Sequence, residues 1–278
     1  MSRMHQIAKP ILLPALVLAV VPATAKAEDA CSIGDVHGYT DTPLVSGTNW
    51  HVHDPNRPQP PAVAVSGPVA TPPPEDAVVL YDGSTIGLRA TKEDTALDWI
   101  VEGDVLTINT NPDQPNGGGA RSIERFGDIQ LHVEWRAPVD HDPFPQRAGN
   151  SGIFFMGRYE LQVQHSYCNA TYPDGQAAAI YGQTPPLVNA SLPAGEWQSF
   201  DVVFKAPRFA EDGALKSPAH MTVFHNGVLV QDHTRILGPT AHRRTEPYMA
   251  HAAELPIVFQ DHGEAVSFRN IWARRIRN

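Results

Sequence analysis

The feature that most constrains this chain is the stretch 129–136, where apolar and polar residues alternate without a break. Ile129, Leu131, Val133 and Trp135 fall on one side of an extended chain, and Gln130, His132, Glu134 and Arg136 on the other. A period of two predicts a strand with one face in a core and the other turned to solvent or ligand. The pattern returns at 159–165, where Tyr159, Leu161 and Val163 oppose Glu160, Gln162 and Gln164, and in the stripe Phe200, Val202, Phe204. Shorter strands are expected at 77–81, at 99–101 and 105–109 around Glu102-Gly103-Asp104, at 153–156, and at 257–260 and 266–272 around Asp261-His262-Gly263. Residues 221–232 read as a hairpin about Asn226-Gly227, since both turn residues tolerate positive φ. There is no long amphipathic helix and no internal repeat. Many short strands separated by turns imply an all-β protein, a jelly-roll sandwich of two antiparallel sheets.

The amino terminus carries a different message. Arg3, His5 and Lys9 precede an apolar run over 11–21, and Ala25-Lys26-Ala27 then places small residues where a signal peptidase reads. The run is shorter than the roughly 20 residues that span a bilayer. We therefore expect an export signal over 1–27, no transmembrane segment once it is removed, and a periplasmic or secreted protein. Glu28-Asp29-Ala30 lacks the apolar and small residues of a lipoprotein cut before Cys31. Residues 28–76 read as a Pro-rich extended arm, because Pro58, Pro60, Pro61, Pro68 and Pro72 to Pro74 exclude helix and central strand. Trp50-His51-Val52-His53-Asp54 argues that this arm packs on the domain over 77–278 rather than linking it to another. Cys31 and Cys168 are the only cysteines; an oxidising compartment permits a bond between them, and spacing does not decide it. A net charge of −9 excludes nucleic acid as a partner.

The outward strand positions hold His, Glu, Gln, Arg and Asn rather than Lys, Thr and Ser. For any one residue an ordinary wet face is the simpler explanation. As a set, planar amides, carboxylates and imidazoles suit sugar hydroxyls, which makes an oligosaccharide or glycoside the expected partner. A series of short motifs runs through this region in order. It comprises Gly149-Asn150-Ser151-Gly152-Ile153-Phe154, Tyr159-Glu160-Leu161-Gln162-Val163, Ala179-Ile180-Tyr181, Gly195-Glu196-Trp197, His225-Asn226-Gly227, Gln260-Asp261-His262-Gly263 and Phe268-Arg269-Asn270-Ile271. The series resembles the 3-keto-disaccharide hydrolase family, whose members include 3-keto-glucoside 1,2-lyases and 3-keto-2-hydroxy-glucal hydratases. The similarity runs from about residue 77 to the end, and Trp50 to Asp54 with Arg57-Pro58 is similar to the amino-terminal arm of one branch. The resemblance implies a concanavalin A-like jelly roll with its site on the concave sheet, and an enzyme that cleaves 3-keto-glycosides. Relatives tend to carry Leu-Asp where this chain has Gln164-His165, so His165 changes whatever that Asp does in them.

Ordinary retaining hydrolysis needs two carboxylates roughly 5 Å apart. The strand that would carry them offers Glu160, Gln162 and Gln164, and amides serve as neither nucleophile nor acid. Glu134 and Glu160 could pair across strands, a distance that alternation does not establish. A ketone at C3 lowers the demand: one base removes the C2 proton, one group stabilises the enolate, and one acid protonates the leaving oxygen. The expected catalytic residues are Glu160 or His262 as base and Arg269 or a bound cation at the enolate. The expected substrate-binding residues are His132, Glu134, Arg136, Asn150, Gln162, Gln260 and His165. His132 and Glu134 also form a candidate ligand pair for a divalent metal cation, with histidine favouring a transition metal over calcium. Each has a plainer reading. His132 could bond a neighbouring strand, Arg269-Asn270 could tie the last strand to its neighbour, and Gly149-Asn150-Ser151-Gly152 could be a turn. Trp135 and Trp272 have core parity, whereas Trp50 and Trp197 are free to stack on a pyranose ring. The competing functional classes are a non-catalytic, lectin-like carbohydrate-binding module and a structural domain of the cell envelope.

Overall fold

The computed structural model describes residues 1, 35–92, 97–111, 113 and 118–277. The export segment read at the amino terminus and Cys31 fall outside the described residues. The strands, in chain order, are β1 (Val78–Tyr81), β2 (Leu88–Ala90), β3 (Ile100–Glu102), β4 (Val105–Thr107), β5 (Ala120–Ser122), β6 (Ile129–Arg136), β7 (Ser151–Phe155) and β8 (Tyr159–Val163), followed by β9 (Gln198–Lys205), β10 (Arg208–Phe209), β11 (Leu215–Ser217), β12 (His220–His225), β13 (Val228–Arg235), β14 (Val258–Phe259) and β15 (Ser267–Arg275). One sheet has eight strands, ordered β13-β12-β9-β6-β15-β4-β3 with β1 also on β15; the other has five, ordered β2-β5-β14-β7-β8. β10 and β11 form a separate ribbon. No described helix is long and apolar enough to cross a membrane.

The two sheets enclose one core. Leu131, Val133, Trp135, Phe200, Phe204 and Phe268 from the larger sheet and Ile153, Phe155, Leu161, Val163 and Phe259 from the smaller one belong to a single buried cluster. Burying a large apolar side chain contributes about 2 kcal/mol, and the alternating strands each place several on this face. This is the all-β jelly-roll sandwich expected from the sequence. The strands with strict alternation match it closely, and residues 129–136 form β6 in full. β2 and β5 were not anticipated, because three-residue strands carry too few positions for a period to show. They exist because β5 is paired by β2 on one side and β14 on the other.

One strand breaks parity. β15 shifts register against β6 between Arg269 and Trp272, and Asn270 sits there at φ 45°. An asparagine takes this left-handed conformation readily, so the strand accommodates a bulge. Phe268, Ile271 and Ala273 consequently face the core. Trp272, expected to pack like Trp135, is buried as expected but outside the main cluster: it stacks on His132 with ring centroids 5.5 Å apart and donates its indole N–H to the Thr71 carbonyl at 2.9 Å.

The arm runs along the domain. The N–H of His37 bonds the Ala170 carbonyl, that of Val63 bonds the Asn189 carbonyl, and that of Val69 bonds the Ser199 hydroxyl. Arg57 donates to the Gln183 carbonyl at 3.0 Å.

Candidate active site

On β8 the core takes Tyr159, Leu161 and Val163, so Glu160 and Gln162 must point to the opposite face of the smaller sheet. The turn after β7 passes through Met156 and Gly157, both at positive φ. It sets a register in which Phe154 lies opposite Glu160 and Gly152 opposite Gln162. A cavity of about 370 Å³ opens over this face. Its floor includes Phe154, Glu160, Gln162 and Asn150, and its walls include Arg147, Tyr172, Tyr181, His242, Gln260 and His262, with His37 and Tyr39 contributed by the arm. That volume lies in the range of small-molecule sites.

Glu160 dominates the electrostatics. Its residue is 5 % exposed, and among the described residues no ion pair or side-chain hydrogen bond reaches its carboxyl. Burial without compensation disfavours the charged form and pushes its pKa up to about 8. Gly152 makes room for it: a Cβ there would collide with Glu160 Oε1.

Next to Glu160 runs a row of amides. Gln162 donates to Asn150 Oδ1 at 3.0 Å, and Asn150 donates to the Gln146 carbonyl at 2.8 Å. The carbonyl oxygens of the Gln162 and Gln260 side chains are buried without a partner among the described residues. An unmet acceptor is costly in a folded protein unless a ligand supplies a donor, and sugar hydroxyls are such donors.

A ring cluster forms another wall. The Tyr172 and Tyr181 hydroxyls are 3.1 Å apart, and the Tyr181 hydroxyl lies 3.1 Å from His242 Nδ1. Burial raises the pKa of both phenols, so they remain neutral at working pH. Burial, followed by the proximity of His53, lowers the His242 pKa and favours its neutral form. Tyr181, His242, Arg147, His37 and Tyr39 were assigned no role from the sequence, and Tyr172 was placed only within a loop, Ser166 to Tyr172, expected beside the groove. They sit in loops and in the arm, where no periodicity marks a face; only Tyr181 stood inside one of the motifs.

The expected residues divide between the two sheets. Glu160, Gln162, Asn150, Gln260 and His262 share the cavity. His132, Glu134, Arg136 and Arg269 belong to β6 and β15 of the larger sheet and do not line it. The expectation of one trough gathering all of them is corrected accordingly: alternation tells which side of a strand a residue occupies, not which sheet the strand joins. His165 also lies outside the lining, with its ring 4.7 Å from that of His141; burial takes its pKa down to about 4.

On the larger sheet these groups pack against one another, although His132 Nε2 is buried without a hydrogen-bond partner among the described residues. His132 Nδ1 is 2.8 Å from Asp201, and its Nε2 is 3.7 Å from Glu134 Oε1, an ion-pair distance rather than a hydrogen bond. Arg269 Nε donates to Glu134 Oε2 at 2.8 Å, and Asn270 donates to Oε1 at 2.9 Å. Arg136 and Arg269 place their guanidinium carbons 4.7 and 4.1 Å from the Trp197 ring, the face that was expected to be free for a sugar. His132 and Glu134 therefore do not suit a divalent cation, which would displace Arg269 and find no third ligand among the described residues.

Residues 76–274 match the 3-keto-alpha-glucoside-1,2-lyase-like domain family. Among solved structures, a candidate glycosyl hydrolase from Parabacteroides distasonis ATCC 8503 is 38 % identical, with a TM-score of 0.69 over 79 % of this chain and 93 % of that one. A second candidate glycosyl hydrolase from the same organism is 17 % identical, with a TM-score of 0.51 over 73 % of this chain and 95 % of that one, a likeness of fold alone. No curated protein matches.

Proposed function

This chain belongs to the 3-keto-alpha-glucoside-1,2-lyase-like domain family, and we propose that it is an exported carbohydrate-active enzyme that cleaves 3-keto-glycosides by elimination and hydration. The observation that carries this reading is Glu160: a buried, unpaired carboxyl at the floor of a sugar-sized cavity, with a pKa near 8. It is the one carboxylate lining that cavity among the described residues. Two would be needed for ordinary glycoside hydrolysis. A single carboxylate suffices where the substrate supplies its own activation, as a C3 ketone does for the C2 proton.

The reaction we assign begins when ionised Glu160 takes that proton. The C–H electron pair moves into the C2–C3 bond and the ketone oxygen becomes an enolate. Collapse of the enolate expels the oxygen on C1, which collects a proton from His262 at the cavity mouth. Water then adds across the C1–C2 double bond of the enone, so the sum is glycoside plus water giving keto sugar plus free aglycone. Arg147, the fixed cation in the lining among the described residues, replaces Arg269 as the candidate enolate stabiliser. The unmet acceptors of Gln162 and Gln260 receive sugar hydroxyls. The small apolar run and small-residue cut at the amino terminus support export.

The test is incubation with a 3-keto-aryl glucoside and, in parallel, with the parent glucoside. The wild-type protein should release aglycone from the keto substrate alone, with a primary isotope effect on deuteration at C2, and Glu160→Gln should abolish release. Equal cleavage of the parent glucoside would sink the elimination route. Sugar binding without turnover by the wild type would make this a binding module.

A further inference from the structure

We propose that the arm ahead of the matched domain is part of the active site, with His37 and Tyr39 forming a substrate-contacting wall that sets specificity. The inference rests on the cavity over Glu160 being the site of reaction. The family match begins at residue 76, so nothing in it covers these positions. Both side chains line the cavity and are half-buried, which leaves ring surface open to a ligand. Aromatic and imidazole faces are suited to the C–H face of a sugar ring, and their edges to its hydroxyls.

The wall is anchored rather than draped. His37 is tied by its N–H to the Ala170 carbonyl, and its ring meets Phe144 edge-on at 4.6 Å. Tyr39 is tied by its N–H to the His53 carbonyl at 2.7 Å, meets His242 edge-on at 5.7 Å, and carries the Arg243 guanidinium 4.2 Å from its ring. Gly38 between them allows the close approach, since a Cβ there would collide with the His53 carbonyl and Pro55. His53 locks the inner turn of the arm: it is fully buried, its N–H donates to Asp174 at 2.9 Å, and its ring stacks on Tyr172 at 4.1 Å. Thus the arm and the cavity wall are one packed unit. Burial, followed by the proximity of His53, also lowers the His37 pKa, so His37 meets a neutral sugar as a neutral ring.

Full-length Tyr39→Ala, Tyr39→Phe and His37→Ala should be compared with wild type and Glu160→Gln on a 3-keto-disaccharide. Tyr39→Ala and His37→Ala should each raise KM about tenfold with kcat within about twofold, and Tyr39→Phe should restore most of the loss if the ring face is what binds. A contact that served folding alone would instead lower the active fraction and kcat at constant KM. Unchanged KM in both alanine variants, with Glu160→Gln inactive, overturns the arm's role and leaves the reaction site standing. Undiminished turnover by Glu160→Gln overturns the site and the arm's role together.

Discussion

Glu160 and Glu134 are both buried carboxylates on strands of one sandwich, and their surroundings drive them in opposite directions. On the smaller sheet, burial alone acts on Glu160 and pushes its pKa to about 8. On the larger sheet, burial also works to raise the Glu134 pKa, but His132, Asn270 and Arg269 outweigh it and bring the value to about 2. His132 in turn loses by burial and gains more from Asp201 and Glu134, so its pKa is raised. One face therefore stores an unsatisfied acid under an open cavity, and the other forms a closed ionic knot beneath the arm. The difference teaches that a glutamate on an outward strand position becomes a candidate catalyst through the lack of partners, not through its polarity.

The largest expected effect on this contrast comes from Glu160→Gln. It should lower kcat by about 10³-fold, within the usual worth of a general base, with thermal stability kept. Retained activity would erase the distinction between the two glutamates.

Gly152→Ala should come next. The new methyl must displace the Glu160 carboxyl. We expect kcat to fall about 10²-fold and stability by about 1–3 kcal/mol, as overpacking typically costs. Unaltered kinetics would show that the carboxyl does not need its place beside β7.

Glu134→Ala should do the reverse. It leaves Arg269 and His132 without their shared anion, and urea denaturation should report a loss of about 3 kcal/mol. Turnover per folded molecule should stay within about threefold, since Glu134 does not line the cavity. A large kcat defect in well-folded protein would mean that the knot serves the reaction after all.

The pH dependences of the two sites should have opposite signs. Glu160 has its pKa raised, so its contribution to stability is complete below about 4.5 and is lost as pH rises through about 8. Glu160→Gln should flatten that decline, and kcat/KM of the wild type should climb toward a plateau above pH 8 as the base ionises. Glu134 has its pKa depressed, so its contribution is present above about 4.5 and is lost as pH falls toward 2. Unfolding midpoints of the two variants against pH would separate these limbs.

The smallest effect is expected at Arg136→Ala, which removes one cation from the Trp197 ring. At a partly exposed site this costs about 0.5–1 kcal/mol and should not touch KM.

Period-two alternation was enough to place β6, β8 and β9, because each of these strands must bury one face and the side chains repeat with the pleat, and the Asn226-Gly227 turn signal placed the β12–β13 hairpin. The same logic put Glu160 and Gln162 on a polar face, and the amide chemistry of Gln162 and Gln164 ruled them out as hydrolytic carboxylates. What alternation could not carry was sheet membership. Glu134 and Glu160 look alike along the chain, and only long-range pairing of β6 with β9 and β15, and of the β7–β8 hairpin with β14, sends them to opposite sides of the core. Nor could it foresee the bulge at Asn270, which buries Trp272 against His132 and the arm rather than in the cluster between the sheets, or the loops that bring Tyr172, Tyr181 and His242 to Glu160. A strand's local pattern determines which residues share a face. Which faces meet, and which carboxylate is left without a partner, is decided by contacts between residues far apart in the chain, where no local period exists to be read.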